Sequence, residues 1–292
     1  MLSAYLQSTQ RAVDAALKIY LPPSSTKPAT IHQAMRYSIF AGGKRLRPIL
    51  CIAAAEACGG RLENALPAAC AVEMVHTYSL IHDDLPAMDN DDFRRGKPTN
   101  HKVYGEAIAI LAGDALLTLA FEVLAAAAST RRYSIADQIR ELAQASGSRA
   151  LIAGQVADLE AEGKKNTVAQ LRYIHGAKTA ALLTSSIRLG AISANATDSE
   201  LVALTTFAEN LGLAFQVIDD ILDVTQTSEK LGKSAGKDVT AQKATYPAIL
   251  GLDKSRKEAH RLTDLSLAAL EPFGQKADRL RTLSGHLLQR DY

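Results

Sequence analysis

The sequence predicts an all-α fold, and three observations support this prediction. Apolar residues recur at helical spacing along almost the whole chain. Ala and Leu are abundant, Trp is absent and aromatic residues make up only 5%, a composition that favours helices over sheets. No stretch alternates polar and apolar residues between hairpin turns, so we expect helices without a sheet.

Gly, Pro and loop-forming residues divide this pattern into eleven expected helices in one domain, residues 1–292. Thr30, Thr167 and Thr197 each precede a Gln or Glu by three residues, a capping-box pattern that marks a helix start. No internal repeat or low-complexity linker suggests a second domain. The expected helices cover residues 3–20, 31–41, 47–58, 62–84, 102–127, 131–146, 148–161, 168–191, 198–225, 246–269 and 275–289.

Charge and cysteine content limit the classes of partner. The net charge of +2 over 292 residues provides no general attraction to nucleic acid or acidic membranes. Cys51, Cys58 and Cys70 lack CxxC spacing, so we expect reduced core residues. The N-terminal segment lacks the features of a signal peptide. We therefore expect a cytoplasmic protein that binds no nucleic acid.

The most membrane-like stretch covers residues 107–128. Asp114 and Glu122 interrupt its apolar residues, which is typical of a buried core helix. We expect no membrane span.

Two acidic clusters are the most informative feature of the chain. The first reads DDLPAMD at residues 83–89, and the second reads DDILD at residues 219–223. Each follows an apolar stretch that is expected to be helical. Crowded carboxylates beside a core repel one another and lose solvation, so clusters of this kind favour a role in binding divalent cations. Cations held between two such clusters would bind an anion such as a diphosphate.

Helical geometry places part of the second cluster on one face. Gln216, Asp219 and Asp223 are at positions i, i+3 and i+7, and each residue turns a helix by about 100°. An apolar stripe lies about 100° away on the same helix. The polar face is therefore expected to line a cavity. The stripe consists of Leu204, Phe207, Leu211, Phe215, Ile218 and Leu222.

Carboxylate oxygens are the ligands that Mg²⁺ prefers, and Mg²⁺ commonly completes its shell with water and phosphate. Pro86 obstructs a regular helix after Asp84, so Asp89 is expected to reach the site from a loop. A calcium-binding EF-hand that begins at Asp89 is excluded, because Arg94 occupies the sixth position, where that loop requires Gly.

Basic residues accompany the acidic clusters. The turn GGKRLRP at residues 42–48 contains three cations but is not a P-loop, and Arg94 and Arg95 directly follow the first acidic cluster. Lys178 lies mid-helix among apolar residues. His76, seven residues before Asp83, lies on the same helical side as that residue. Arg and Lys bind phosphate oxygens, so these residues favour a second, metal-independent diphosphate site.

The longest non-periodic segment covers residues 225–246 and contains several Lys and Gly residues, including Lys233 and Lys243. A basic loop after a carboxylate cluster is typical of a lid that closes on an anion. A solvated connector is the alternative interpretation, and both remain open.

At these residues the chain resembles the trans-isoprenyl diphosphate synthases. The motifs span nearly the whole chain, and the two aspartate motifs together are specific. The step of six residues from Asp83 to Asp89 is similar to that of bacterial and plant-type members. The similar segments are GGKRLRP (42–48), SLIHDDLPAMDNDDFRRGKPTNH (79–101), AGDALL (112–117), GQVADL (154–159), KTA (178–180) and FQVIDDILD (215–223).

The resemblance implies a terpenoid-synthase fold with about ten core helices around a central cavity, usually as a homodimer. It implies three Mg²⁺ ions that hold an allylic diphosphate, dimethylallyl or geranyl diphosphate, for attack by isopentenyl diphosphate. The implied metal ligands are Asp83, Asp84, Asp89, Asp219, Asp220 and Asp223. Arg94, Lys178 and Lys233 are implied to contact the allylic diphosphate, and Lys44, Arg47, His76 and Arg95 to hold isopentenyl diphosphate. Lys178, Thr179 and Gln216 are the implied catalytic residues, and Lys243 is a further supporting polar residue.

The resemblance also bears on product length. An aromatic residue five places before the first Asp, here Tyr78, commonly forms the floor of the pocket in synthases that stop at 15 carbons. Ser79 lies one turn before Asp83 and nearly in line with it, so it also faces the growing chain. We therefore expect farnesyl diphosphate as the product, and an ordinary core role is the alternative for Tyr78.

Other functions are weighed against this expectation. A geranylgeranyl diphosphate synthase shares most of the pattern. A terpene cyclase needs no second diphosphate site, and a catalytically silent partner subunit tends to lose the aspartates that are intact here. The contribution of Arg290 to the site is left open.

Overall fold

The computed structural model describes residues 2–225 and 245–288, and helices form nearly all of its regular structure. Two non-α turns are embedded among the helices: a π-helical turn, Gly176–Ala180, and a 3₁₀ turn, Glu271–Ala277. The helices are α1 Leu2–Tyr20, α2 Ala29–Ile39, α3 Leu46–Ala57, α4 Leu62–Asp83, α5 Asn100–Tyr104, α6 Glu106–Ala125, α7 Ile135–Ser146, α8 Leu151–Ala161, α9 Val168–His175, α10 Ala181–Ser193, α11 Asp198–Thr225, α12 Tyr246–Leu250, α13 Leu252–Ala268 and α14 Asp278–Leu288.

Two of the three expected capping boxes are present. The Thr167 hydroxyl accepts the backbone N–H of Gln170, whose side chain in turn accepts the backbone N–H of Thr167. Thr197 and Glu200 make the same reciprocal pair at the start of α11. The prediction at Thr30 is wrong, because α2 begins at Ala29 after Pro28 and has no side-chain cap. These caps satisfy N–H groups that the first helical turn leaves free.

Two expected helices are each divided in two by a glycine. Gly105 separates α5 from α6, and Gly251 separates α12 from α13, with φ angles of +84° and +80°. A residue in this region ends a right-handed helix, and glycine adopts it without steric cost. A helical pattern with a single internal glycine therefore conceals a break that the periodicity does not reveal.

A short hairpin corrects the expectation of a fold without strands. Strand β1, Phe93–Arg94, pairs antiparallel with β2, Lys97–Pro98. The two turn residues, Arg95 and Gly96, have φ angles of +54° and +74°. Positive φ at both central positions is the requirement of a type I′ hairpin turn. The turn therefore fixes the backbone of Arg95, one of the predicted substrate-binding residues.

Helices α3 and α10 contribute to both apolar clusters of the interior. On α3, Cys51 and Ile52 belong to the cluster with α1, α4 and α6, whereas Ile49 and Leu50 belong to the cluster with α11, α13 and α14. These residues are at most 1% exposed. Two helices that are buried on nearly all sides thus join both clusters, as a central helix of a large core does.

By length and composition alone, α6 and α11 could each cross a membrane. The core helices of soluble proteins meet the same criteria, and 44% of each apolar window is buried inside the structure. The absence of a membrane span stays a prediction.

The contact between α3 and α10 is testable at Gly190. A Cβ added there would lie 1.9 Å from the carbonyl oxygen of Cys51, and this backbone oxygen cannot turn away as a side chain could. We expect Gly190→Ala to lower the free energy of unfolding by about 1–3 kcal/mol, measured by denaturant titration, because overpacking displaces the helices.

The control for this substitution is Gly176→Ala, whose added Cβ meets no atom within 4 Å. That variant should retain or gain stability, since Ala is a better helix former than Gly. Equal stability of the two variants would contradict the close packing at Gly190.

Candidate active site

The first acidic cluster lies at the carboxyl end of α4. Asp83 is the last residue of the helix. Asp89 follows in a loop, and its backbone N–H donates to the Asp83 carbonyl at 2.9 Å. The expectation that Asp89 comes from a loop is confirmed. The turn around Pro86 therefore brings Asp89 back towards the end of the helix.

Burial controls the charge of Asp83. The pKa of its carboxyl is raised from 3.8 to about 6, chiefly by desolvation. The like charges of Asp89 and Asp84 contribute to the rise, and nearby Lys178 and Arg94 lower the pKa only in part. A carboxylate in this environment gains from any cation that approaches it.

Asp84 already has a cation beside it. The Nε of Arg94 donates to both Asp84 oxygens, at 2.7 and 3.0 Å, and only 3% of Asp84 is exposed. The pairing orients Arg94 at the base of the hairpin. The resemblance implied a metal ligand at Asp84 and a diphosphate contact at Arg94, and in this structure the two side chains bind each other.

The π-helical turn Gly176–Ala180 carries two predicted catalytic residues. The Nζ of Lys178 donates to Asp158 on α8 at 2.7 Å, and the hydroxyl of Thr179 donates to Gln216 on α11 at 3.2 Å. The sequence predicted an unbroken helix over 168–191, and the inserted turn corrects this. Such π turns commonly occur at functional sites.

Asp158 is the partner that the sequence interpretation missed. It lies within GQVADL, a segment that was noted as similar to the family without a role for Asp158. The signal that could have found it is the amphipathic pattern of α8, in which polar residues alternate with the apolar stripe of Ile152, Val156 and Leu159.

The second acidic cluster lies near the end of α11. The expected apolar stripe is confirmed for Leu204, Phe207, Leu211, Ile218 and Leu222, which are at most 3% exposed. Asp220 is also buried, and one of its oxygens accepts the backbone N–H of Tyr246 at 2.9 Å. Asp220 thereby anchors the start of α12, a role that its place in the motif did not reveal.

The donor set fits a divalent cation. A buried oxygen of Asp223, Oδ2, has no hydrogen-bond partner among the described residues, and an unpartnered buried carboxylate oxygen is costly unless a cation or donor binds it. Within residues 2–225 and 245–288, however, no three His, Cys, Asp or Glu side chains form an assembled metal site. A metal bound by Asp223 would therefore need further ligands beyond the side chains that this part of the chain brings together.

The cations of the GGKRLRP turn have different surroundings. Arg45 is buried and forms ion pairs with Asp14 and Glu73, both at 2.8 Å, so it holds the turn to α1 and α4. Lys44 is exposed. The Nη1 of Arg47 lies 3.3 Å from the Nε2 of His76. Only Arg47 of these three lines the apolar cavity described below.

His76 is held neutral. Burial lowers the pKa of its imidazole well below the usual 6.5, and the guanidinium groups of Arg47, Arg95, Arg94 and Arg45 lower it further. His76 can therefore exchange hydrogen bonds with a ligand without adding charge. Arg95 donates to the carbonyl of Gly42, which places a third basic group beside the same turn.

One cavity of about 400 Å³ brings several of these groups together. Arg47 and His76 line it, and Asp83, Lys178, Thr179 and Gln155 also contribute polar groups. The rest of its wall is mostly apolar, and the wall includes both residues expected to set product length, Tyr78 and Ser79. Three further wall residues on α8, Ile152, Val156 and Leu159, are 40–48% exposed. Exposed apolar side chains in a wall of this kind favour binding of an apolar chain.

Some predicted residues are not described. Lys233, Lys243 and Arg290 lie outside residues 2–225 and 245–288, as does most of the segment interpreted as a lid. Their roles stay predictions.

Comparison with known proteins decides the family. The family model of the polyprenyl synthetases matches residues 28–275, most of the chain. The chain belongs to the polyprenyl synthetase family.

Two curated relatives of this polyprenyl synthetase are similar over nearly its whole length. "Geranylgeranyl pyrophosphate synthase, chloroplastic" from Capsicum annuum is 51% identical, and the match covers 97% of this chain and 76% of the relative. "Dimethylallyltranstransferase" from Fischerella ambigua is 50% identical, and the match covers 99% of this chain and 83% of the relative. The chain is therefore a prenyltransferase.

A solved structure supports the fold. The crystal structure of an FPP/GFPP synthase from Zymomonas mobilis superposes with a TM-score of 0.86 at 35% identity, and the match covers 98% of each chain. The predicted all-α terpenoid-synthase fold and the predicted family are confirmed.

The raised pKa of Asp83 predicts a pH-dependent stability of this polyprenyl synthetase. Between pH 3.8 and about 6 the folded state binds more protons at Asp83 than the unfolded state does. The carboxylate thus destabilises the fold at neutral pH, and this penalty disappears as the pH falls towards 3.8. We expect Asp83→Asn to melt at a higher temperature than the wild type near neutral pH, without divalent metal, and at the same temperature near pH 4.

The control is Asp253→Asn at an exposed position on α13. It should show no such difference at either pH. A lower melting temperature for Asp83→Asn at neutral pH would contradict the desolvation of Asp83.

Proposed function

We propose that this prenyltransferase is a trans-isoprenyl diphosphate synthase that joins isopentenyl diphosphate to dimethylallyl or geranyl diphosphate, head to tail, and releases diphosphate. The observation that carries the proposal is the shared cavity. Asp83, Lys178 and Thr179 meet Arg47 and His76 at one space with apolar walls. A reaction between two prenyl diphosphates needs this combination of charged groups and an apolar chamber.

The aspartates of both motifs would hold Mg²⁺, three ions by resemblance to the family, and the bound metal supplies neutralisation of the leaving diphosphate. Lys178, with Arg94 and Lys233, would bind the allylic diphosphate directly. Arg47, His76, Arg95 and Lys44 would hold isopentenyl diphosphate. Its double bond would then face the allylic carbon, with Thr179 and Gln216 as polar support.

The reaction begins when the allylic C–O bond breaks and its electron pair leaves with diphosphate. The double bond of isopentenyl diphosphate attacks the allylic cation, a new C–C bond forms, and the departed diphosphate accepts the proton that is lost. Water would quench the cation, so the apolar wall of Ile152, Val156 and Leu159 serves to exclude it. No side-chain base is required.

The proposed final product is geranylgeranyl diphosphate. The 51% identical relative from Capsicum annuum is named a geranylgeranyl pyrophosphate synthase, and this similarity outweighs a single pocket residue. Farnesyl diphosphate, the product expected from the sequence, is the second candidate because Tyr78 lines the cavity and is only 6% exposed. An aromatic floor at that position favours the shorter product.

We also propose a homodimer in the cytoplasm. Helix α6 is apolar on most sides, and Ile110 and Leu111 are 44% and 53% exposed on it. A second copy that covers this face would remove these side chains from water. Cys51, Cys58 and Cys70 are free thiols, which agrees with a reducing compartment.

The direct test is a condensation assay of the purified chain with Mg²⁺, dimethylallyl diphosphate and isopentenyl diphosphate. We expect prenyl products from the chain alone. Asp219→Ala should reduce kcat/KM by at least about 100-fold, because a carboxylate that would hold Mg²⁺ beside the leaving diphosphate is lost. Asp253→Ala, which removes an exposed carboxylate outside the site, should keep full activity. A chain that makes no product without another subunit would support the silent-partner alternative instead.

Tyr78→Ala tests the product floor. If the ring forms the floor, as the farnesyl candidate requires, its removal opens the cavity and the main product should lengthen by at least one five-carbon unit, measured by mass spectrometry. Tyr78→Phe keeps the ring and should leave the product unchanged. If Tyr78→Ala gives the wild-type product, Tyr78 is an ordinary core residue.

A further inference from the structure

Helices α8 and α11 pack against the π-helical turn, and each holds it in the same way. On α8, Gly154 contacts the backbone of the turn, and Asp158, four residues later, accepts the hydrogen bond of Lys178. On α11, Gly212 contacts Ala180, and Gln216, again four residues later, accepts the hydrogen bond of Thr179. Residues four apart share a helix face, so each glycine and its polar partner face the turn together.

Neither glycine leaves room for a side chain. A Cβ on Gly154 would lie 2.2 Å from the backbone nitrogen of Lys178 and 2.5 Å from its Cα. A Cβ on Gly212 would lie 2.6 Å from the Cβ of Ala180 and 2.8 Å from its Cα. Separations below 3.0 Å essentially never occur for a real Cβ, and these atoms belong to the turn or lie next to its backbone. The turn itself would have to move.

Backbone conformation does not account for these glycines. Both lie inside regular α-helices and neither has a positive φ. Glycine inside a helix costs about 1 kcal/mol relative to alanine. Close approach of the helices is therefore the physical reason for glycine at both positions.

We propose that Gly154 and Gly212 are positioning residues of the prenyl transfer. They let α8 and α11 approach the π turn closely enough for Asp158 and Gln216 to hold Lys178 and Thr179. These two consecutive side chains both line the substrate cavity, together with Asp83. The inference rests on the proposed function, and it adds residues that touch no substrate.

The experiment compares Gly154→Ala and Gly212→Ala with the wild type in the condensation assay. A displacement of about 1 Å in catalytic groups can cost 100-fold in rate, so we expect kcat/KM to fall by about that factor in each variant. Because Thr179 and Lys178 act at the reacting centre, most of the loss should be in kcat. The double variant Gly212→Ala, Ala180→Gly removes the nearest clash and should recover part of the activity.

Gly190→Ala separates positioning from loss of stability. It introduces a comparable clash, with the Cys51 carbonyl, between α10 and α3. It should lower the melting temperature but leave kcat/KM of the folded enzyme near that of the wild type. Equal losses of kcat/KM in all three variants, or folded Gly154→Ala and Gly212→Ala with wild-type kinetics, would overturn the inference.

A binding measurement keeps the two proposals apart. Inorganic diphosphate with Mg²⁺ serves as the probe in titration calorimetry, and Gly154→Ala should bind it at least about tenfold more weakly, since Lys178 is displaced. A wild type without condensation activity would refute the proposed function. The same affinity for diphosphate in the wild type and in Gly154→Ala would refute the positioning role, whatever the activity.

Discussion

The candidate site depends on the close packing of one π-helical turn between two helices. Through Lys178 the turn Gly176–Ala180 faces Asp83 of the first acidic cluster, and through Thr179 it binds the face of α11 that carries the second. The two clusters are far apart in the chain. The close packing of α8 and α11 against this turn fixes the position of one cluster relative to the other, because densely packed helices cannot shift independently.

Electrostatics then distinguishes residues that hold the fold from residues that can serve a ligand. Arg45 is buried and bound by Asp14 and Glu73, so its charge is largely matched within the protein. Arg47 keeps a buried Nε without a hydrogen-bond partner in the described part of the chain, beside a neutral His76. Asp83 is the acidic counterpart: burial raises the pKa of its carboxyl, so a nearby cation would stabilise the charged form. A bound diphosphate and its cations would satisfy both sets of groups at once.

Beside these charged groups, the cavity has an apolar wall. Ile152, Val156 and Leu159 present partly exposed side chains on the same helix that supplies Asp158. One element therefore serves both the polar and the apolar end of a prenyl diphosphate. Tyr78 lines the cavity from α4, the helix that ends in Asp83, so in the proposed function it would limit the chamber at a fixed distance from the charged end.

The sequence by itself determined the helical class and the family, and it named the residues that are proposed for the site. It predicted the caps at Thr167 and Thr197 and the common face of Gln216, Asp219 and Asp223, because these depend on neighbours within one or two helical turns. Only the tertiary structure decided which cation pairs with which carboxylate and where the π turn interrupts the helix. It also decided that Gly154 and Gly212 have no space for a side chain. The reason is physical: ion pairs and close approaches depend on distances between residues remote in the chain, and local periodicity carries no measure of those distances.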